Sequence, residues 1–235
     1  MLTTYHVCGK CASAHVRKNG SSGGRAKYQC TNCRHQGYFQ PAAAARAARY
    51  AQVEKLLLER VSQRAIVRAT GVARMTVAKL AKKAQASPAS CPLPRRPKEL
   101  ELDEMWTFVG RKRRKKWLWL AVECHSRRIV AWVLGGCGIA TARRLWRALP
   151  APYRRGTWYH TDEWQAYRRV LPKAVHRAHA KGSGQTSIVE AINCSLRQRG
   201  AVLVRKSCSF SCSLAMHEAR IKCCIDEHNR CITLL

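Results

Sequence analysis

Residues 99–134 alternate apolar runs with polar turns. Three stretches, 102–109, 117–124 and 129–134, are rich in aromatic and β-branched residues, which predicts three consecutive strands. In the first, Leu102, Trp106 and Phe108 point to one face, and Met105 and Val109 to the other. That pattern suits a central strand covered on both sides. Downstream, 141–149 sets Leu145, Trp146 and Leu149 against Arg143, Arg144 and Arg147, an amphipathic helix stopped by Pro150 and Pro152. Residues 156–160 read as a fourth strand, 165–171 as a short helix and 174–180 as a fifth strand. In 187–198 a helix carries an apolar stripe of Ile188, Ile192 and Leu196 and a polar one of Glu190, Asn193 and Arg197. A last helix is expected from about 213 to 228.

Upstream the period is helical. Pro41 opens a helix-prone run, 42–51, that continues through Val53, Leu56, Leu57 and Val61. Ser62 is placed to cap a helix over 63–69, Thr70-Gly71 breaks it, and 72–84 forms another. Two short helices joined by a tight Gly turn have the layout of a helix-turn-helix. Ile66, Val72, Val77 and Leu80 would be core, while Arg74, Thr76, Lys79, Lys82 and Lys83 would face a major groove. A helical hairpin that merely packs on a neighbour fits the same pattern. Residues 87–98 carry four prolines and read as an extended linker. The expected order is therefore a ribbon over 1–40, a helix-turn-helix region over 41–86, the linker over 87–98 and an α/β domain over 99–235.

Charge narrows the class. The 235 residues hold 44 Lys+Arg against 13 Asp+Glu, a formal charge of +31, with 46% hydrophobic residues. That balance describes a folded protein with a polyanionic partner, nucleic acid first. No apolar run approaches the ~20 residues of a membrane span, and no signal core opens the chain, so no membrane role is expected. Arg111, Lys112, Arg113, Arg114, Lys115 and Lys116 fall in the turn between the first two predicted strands. They are either a solvated loop or a phosphate grip.

Thirteen cysteines without an export signal point to a reducing compartment and to metal. Cys8-Gly-Lys-Cys11 and Cys30-Thr-Asn-Cys33 are two C-x2-C knuckles that can close a tetrahedral shell around one structural zinc. Four thiolates leave no open position for catalysis. The intervening stretch resembles a ribbon hairpin too short to fold without the ion. Cys223, Cys224 and His228 form a weaker candidate.

Asp103 and Glu104 lie inside a strand expected to be covered, where a carboxylate is costly unless a cation meets it. With Asp162 or Glu163 after the fourth strand, and Glu190 on the later helix, they could build an oxygen-lined site for magnesium. Glu101 and Glu123 are further acids on the same strands. Spacing does not choose Asp103 over Glu104, or Asp162 over Glu163. Each acid also has a structural alternative: pairing with the basic turn, capping a helix at Asp162, or a capping box Ser187-x-x-Glu190.

The chain resembles transposases of the insertion-sequence-one family of bacterial mobile elements. The resemblance is carried by the four ribbon cysteines, Leu102-Asp103-Glu104-Met105-Trp106, Thr161-Asp162 before Glu163-Trp164, Glu190 with Asn193 and Leu196-Arg197-Gln198, and Arg205-Lys206-Ser207-x-Ser209-Phe210-Ser211. It implies a ribonuclease H-like catalytic domain, a mixed sheet flanked by helices, behind a zinc ribbon and a helix-turn-helix. It implies Asp103, Asp162 and Glu190 as a triad holding Mg2+ or Mn2+, and cleavage of DNA at element ends with joining of 3′ ends to a target. Asn193, Arg197, Arg205 and Lys206 are then expected DNA contacts. Double-stranded DNA with terminal inverted repeats is the expected partner, bound by a homo-oligomer in the bacterial cytoplasm, at the nucleoid. A repressor with a degenerate catalytic half, or a structure-selective nuclease, would share much of this sequence.

Overall fold

The computed structural model describes residues 7–38, 42–86, 98–180, 182–204, 206 and 208–232. They fall into two compact units that divide between Gln52 and Val53. In the first, β1 (Val16–Ser22), β2 (Arg25–Cys30) and β3 (Gln36–Gly37) form an antiparallel sheet in that order. Cys8 and Cys30 are its buried residues among those described, so this sheet has no apolar core of its own.

Helix α1 (Ala42–Leu57) buries Val53 and Leu57 at its end. In α2 (Gln63–Thr70) the Ser62 side chain accepts from the Ala65 N–H at 3.1 Å, the expected N-cap. Gly71 closes the helix at φ 66°, a left-handed position that a Cβ would strain. The next helix, α3 (Arg74–Ala86), starts two residues later than its pattern suggests. Ile66, Val72 and Val77 are buried, as is Ala81; Leu80, expected in the core, is only half-buried. The proline-rich linker, apart from Lys98, lies outside the described residues.

The second unit is organised on a five-stranded sheet. Its strands are β4 (Glu99–Phe108), β5 (Lys115–Glu123), β6 (Ile129–Gly135), β7 (Trp158–Asp162) and β8 (His176–His179), in the order β6-β5-β4-β7-β8. The first three form an antiparallel meander; β7 joins β4 in parallel and β8 joins β7 in parallel. This is the mixed sheet of a ribonuclease H-like domain. Lys115 and Lys116 are strand residues, paired with Phe108 and Thr107, so only 111–114 form the basic turn. Pairing of Asp162 with His179 draws β7 two residues beyond its apolar run.

Helices α4 (Ile139–Ala148) and α5 (Gln165–Arg168) cover one face; α6 (Ser187–Arg199) and α7 (Leu214–Ile232) cover the other. The alternation along β5 sorts its side chains accordingly. Trp119 and Ala121 join Leu100, Leu102, Leu145 and Tyr167 under α4 and α5, while Leu118, Leu120 and Val122 join Met105, Ile192 and Ile221 under α6 and α7. On the outer side of α7, α3 packs along it, and Arg220 donates to the Val61 carbonyl at 3.3 Å. The helix-turn-helix thus belongs to the same unit as the sheet.

Trp119 is fully buried, donates to the Gly136 carbonyl at 2.9 Å and meets the Tyr167 ring edge-on at 5.1 Å. Trp119→Ala is expected to destabilise this unit by about 3–5 kcal/mol, because the void cannot collapse under a sheet covered on both sides. A thermal melt should show its midpoint fall by roughly 10 °C.

Candidate active site

The four ribbon cysteines converge. Cys8 and Cys33 sulfurs lie 3.5 Å apart, Cys11 and Cys30 3.6 Å, and all four fall within 4.8 Å of one another. A tetrahedral zinc with bonds of about 2.3 Å needs sulfurs about 3.8 Å apart, so the donor set fits. The two knuckles share one backbone form. Ala12 N–H returns to the Cys8 carbonyl and Arg34 N–H to the Cys30 carbonyl, and both residues take positive φ, 54° and 58°. The Lys10 N–H points at the Cys8 sulfur at 3.4 Å, and such backbone bonds hold the Cys8 thiol down to about 6, favouring the thiolate that binds metal.

The second cluster comprises Asp103 and Glu104 on β4 and Asp162 at the end of β7, with one oxygen of each within 4.8 Å of the others. Parallel pairing of β4 with β7 ends at Glu101↔His160, two residues short of Asp103 and Asp162. The two strands no longer pair beyond that point, and the three carboxylates lie together there. Burial pushes the Asp103 carboxyl up to about 6; the Glu104 N–H pulls against that, and the Asp162 charge adds to it. Asn193 donates to Asp103 at 2.6 Å from α6. Burial likewise pushes Glu104 up to about 8, opposed by a 2.8 Å hydrogen bond from the buried Tyr167 hydroxyl. Asp162 accepts the Trp164 N–H at 3.1 Å. Three acids gathered without an Arg or Lys partner among the described residues are the donor set a hard divalent cation takes.

The other acids have local employment. Glu163 is exposed and pairs with Arg168 at 3.3 Å, and Glu123 accepts the Ser126 N–H at 2.6 Å. Glu101 is buried and accepts the Val189 N–H at 2.7 Å, so it caps α6 from the sheet. The capping box expected at Ser187 is not formed. Thr186 occupies the cap, makes no side-chain bond to the helix backbone, and donates instead to Glu190 at 3.0 Å. Glu190 stands exposed in the first turn of α6, outside the close group, yet its charge contributes to the upward shift of both Asp103 and Glu101.

Most of the residues expected to contact DNA are exposed. Arg111, Lys112, Arg113 and Arg114 are exposed in the turn, as are Lys115 on β5, Arg74, Lys79, Lys82 and Lys83 on α3, and Lys206. Thr76, Lys116 and Arg197 are half-buried, and Arg205 lies outside the described residues. Asn193, read from the sequence as a DNA contact, is instead buried and committed to Asp103. Its place three residues after Glu190 was the available signal that it shares the acid-facing stripe. Nothing in the pattern marked Tyr167, and Glu101 stood out only as a further acid on the first strand. Cys223 and Cys224 are buried in α7, and the two clusters above are the metal-capable groups found among the described residues. No described helix is long and apolar enough to cross a membrane.

Residues 99–230 match the protein-family model described as IS1 transposase. The insertion element iso-IS1n protein InsB of Shigella dysenteriae is 38% identical over 128 residues, covering 54% of this chain and 94% of its own length. The insertion element IS1 protein InsB of Shigella sonnei is 37% identical over 118 residues, 50% of this chain and 86% of its own. A chain in the simian T-cell lymphotropic virus intasome, solved with PP2A regulatory subunit B56 gamma, is a weak structural likeness. It has 13% identity and a TM-score of 0.39, covering 73% of this chain and 66% of that one.

Proposed function

The chain belongs to the IS1 transposase family, and from that premise we propose that it binds the terminal inverted repeats of its element, cleaves the DNA there and joins the freed 3′ ends to a target. The observation that carries the reading is the convergence of Asp103 and Asp162, 59 positions apart in sequence, at the place where β4 and β7 part. Magnesium, or manganese, bound there supplies the charge neutralisation and Lewis acidity that phosphodiester displacement requires.

The chain's own residues do the rest. Asp103 and Asp162 present oxygens from two adjacent strands, and Asn193 fixes the rotamer of Asp103. Glu190, which now accepts from the Thr186 hydroxyl, would supply the third carboxylate. Glu101 holds the start of α6 against the sheet and so sets how far Glu190 stands from the other two. Water attacks the phosphorus at the element end, the P–O3′ bond breaks, and the 3′-hydroxyl takes up a proton. That hydroxyl then attacks a target phosphodiester, with one P–O bond formed and one broken. The ribbon and α2–α3 select the ends, and the basic turn grips backbone phosphates. Two ends require two active sites, so the acting species is a homo-oligomer assembled on DNA in the cytoplasm, at the nucleoid.

The test is incubation of the full chain with a duplex bearing the element's terminal repeat. Nicks that leave 3′-hydroxyls are expected in magnesium and not in EDTA, together with strand-transfer products on a supercoiled target. Sequence-specific binding with no cleavage in magnesium or manganese would leave a DNA-binding repressor; cutting without repeat preference would indicate a structure-selective nuclease.

A further inference from the structure

We propose that the cavity between the start of α2 and the segment joining α6 to α7 is a phosphate site that receives one backbone phosphate of bound DNA, with Arg220 at its inner wall. The inference rests on the DNA-binding reading above but concerns a place apart from the carboxylates. The cavity holds about 610 Å³ and is lined by Arg64, Arg68 and Arg74 from the helix-turn-helix, facing Ser211, Phe210 and Arg220. No Asp or Glu is among its described lining residues.

Two of those side chains are buried with polar atoms to spare. Arg220 is 2% exposed; one terminal nitrogen reaches the Val61 carbonyl, while its Nε has no partner among the described residues. Ser211 is 6% exposed, and its hydroxyl likewise has no partner among them. A guanidinium this deep is ordinarily met by a carboxylate. Here the ionisable groups that favour its charge are the thiols of Cys223 and Cys224, and burial pulls its pKa down. The missing member of the cluster is an anion.

The setting says which anion. In a helix-turn-helix bound to DNA the first helix crosses the sugar–phosphate backbone, and free N–H groups at a helix start suit a phosphate. Here the first helix is α2, and its opening residues, Ser62, Gln63 and Arg64, border the cavity. The opposite wall is held in place from the sheet. Gly110 N–H donates to the Ser211 carbonyl at 2.8 Å, and Phe210 packs on Phe108 at 5.6 Å between ring centres. A phosphate bound there would touch the end-recognition helices and the catalytic sheet's own support at once.

Two variants of the full chain test this. Arg220→Met removes the charge and keeps the reach; Ser211→Asp supplies the counter-ion from within. Each is expected to weaken binding of terminal-repeat duplex about tenfold and to flatten the dependence of log K on log salt by about one unit. Neither should lower the melting midpoint of the DNA-free protein, since each relieves an unpaired buried charge. A single methylphosphonate, walked along the repeat, should weaken the wild type at one position and leave both variants unaffected there. Wild-type affinity and slope in Ser211→Asp would overturn the proposal even if Arg220→Met failed to fold. A lowered midpoint with unchanged slope in Arg220→Met would make Arg220 structural. Stabilisation of the wild type by inorganic phosphate at fixed ionic strength, with unchanged DNA slopes in the variants, would mark a free-anion pocket and equally overturn it. Should the wild type bind no duplex at all, the DNA-binding reading fails first and this site falls with it.

Discussion

Asp162→Asn is expected to reduce cleavage of terminal-repeat DNA in magnesium by roughly 10³-fold or more, while binding of the same duplex stays within about twofold. A metal ligand of this kind supplies several kcal/mol of transition-state stabilisation, and each 1.36 kcal/mol is tenfold in rate. Asn keeps the size and the carbonyl oxygen that accepts the Trp164 N–H, so the turn after β7 is preserved. What is lost is one negative charge from a cluster in which Asp162 pushes both Asp103 and Glu104 upward. Removing it relieves repulsion, so the DNA-free protein should melt no lower than wild type. End-labelled duplex on a denaturing gel reads the chemistry, and fluorescence anisotropy reads the binding. Cleavage at the wild-type rate would remove Asp162 from the metal site. Joint loss of binding, cleavage and melting temperature would make it a structural residue instead.

The sheet was legible because its central strands are covered on both faces. The run 118–122 has no polar residue to disguise it, and neither has 129–134 beside it. The strand ends were less so. Lys115 and Lys116 look like loop residues by charge, yet their backbones complete the ladder to β4 while the side chains reach solvent, which lets an edge of a strand be basic. The acids were only partly readable. Alternation should send Asp103 and Glu104 to opposite faces, and it does: one meets Asn193 on α6, the other Tyr167 of α5. Both nevertheless reach Asp162, beyond the point where the β4–β7 ladder ends. Local sequence has no term for that.

Tertiary partners explain the remaining differences. Ser187-x-x-Glu190 has the spacing of a capping box, but a carboxylate 88 positions earlier, Glu101, reaches the α6 amides first. Glu190 is thereby released from capping and left at the surface, where its charge still acts on Asp103. The helix-turn-helix was visible in its period and in Ser62 and Gly71, whereas its packing along α7 depends on a surface that amphipathicity alone does not pair. The left-handed Ala12 and Arg34 had no signal, since neither is Gly or Asn; the thiolate geometry of each knuckle imposes the turn.

Cys30→Ser is expected to release zinc and unfold residues 7–38 while leaving the sheet domain folded. Among those residues only Cys8 and Cys30 are buried, so no apolar contact set can replace the ion. Structural zinc in units of this size supplies about 10–16 kcal/mol of apparent folding free energy, far more than three short strands can gain from their own hydrogen bonds. Cys30 is 1% exposed and ends β2, where its sulfur lies 3.6 Å from that of Cys11. A serine hydroxyl there is neither thiolate nor long enough to keep a zinc bond near 2.3 Å. Zinc release should be measured with a chromogenic chelator: one equivalent from the wild type after denaturation, and none carried by the variant. Limited trypsin digestion should then cut the variant at Lys10, Arg17, Lys18, Arg25 and Lys27, all within the ribbon, sooner than the wild type, with the cuts in residues 99–232 unchanged between the two. Treating the wild type with a strong chelator should reproduce the same pattern, and adding zinc back should reverse it. A variant that keeps one zinc equivalent and the wild-type digestion pattern would show that the four sulfurs converge for some purpose other than holding the metal.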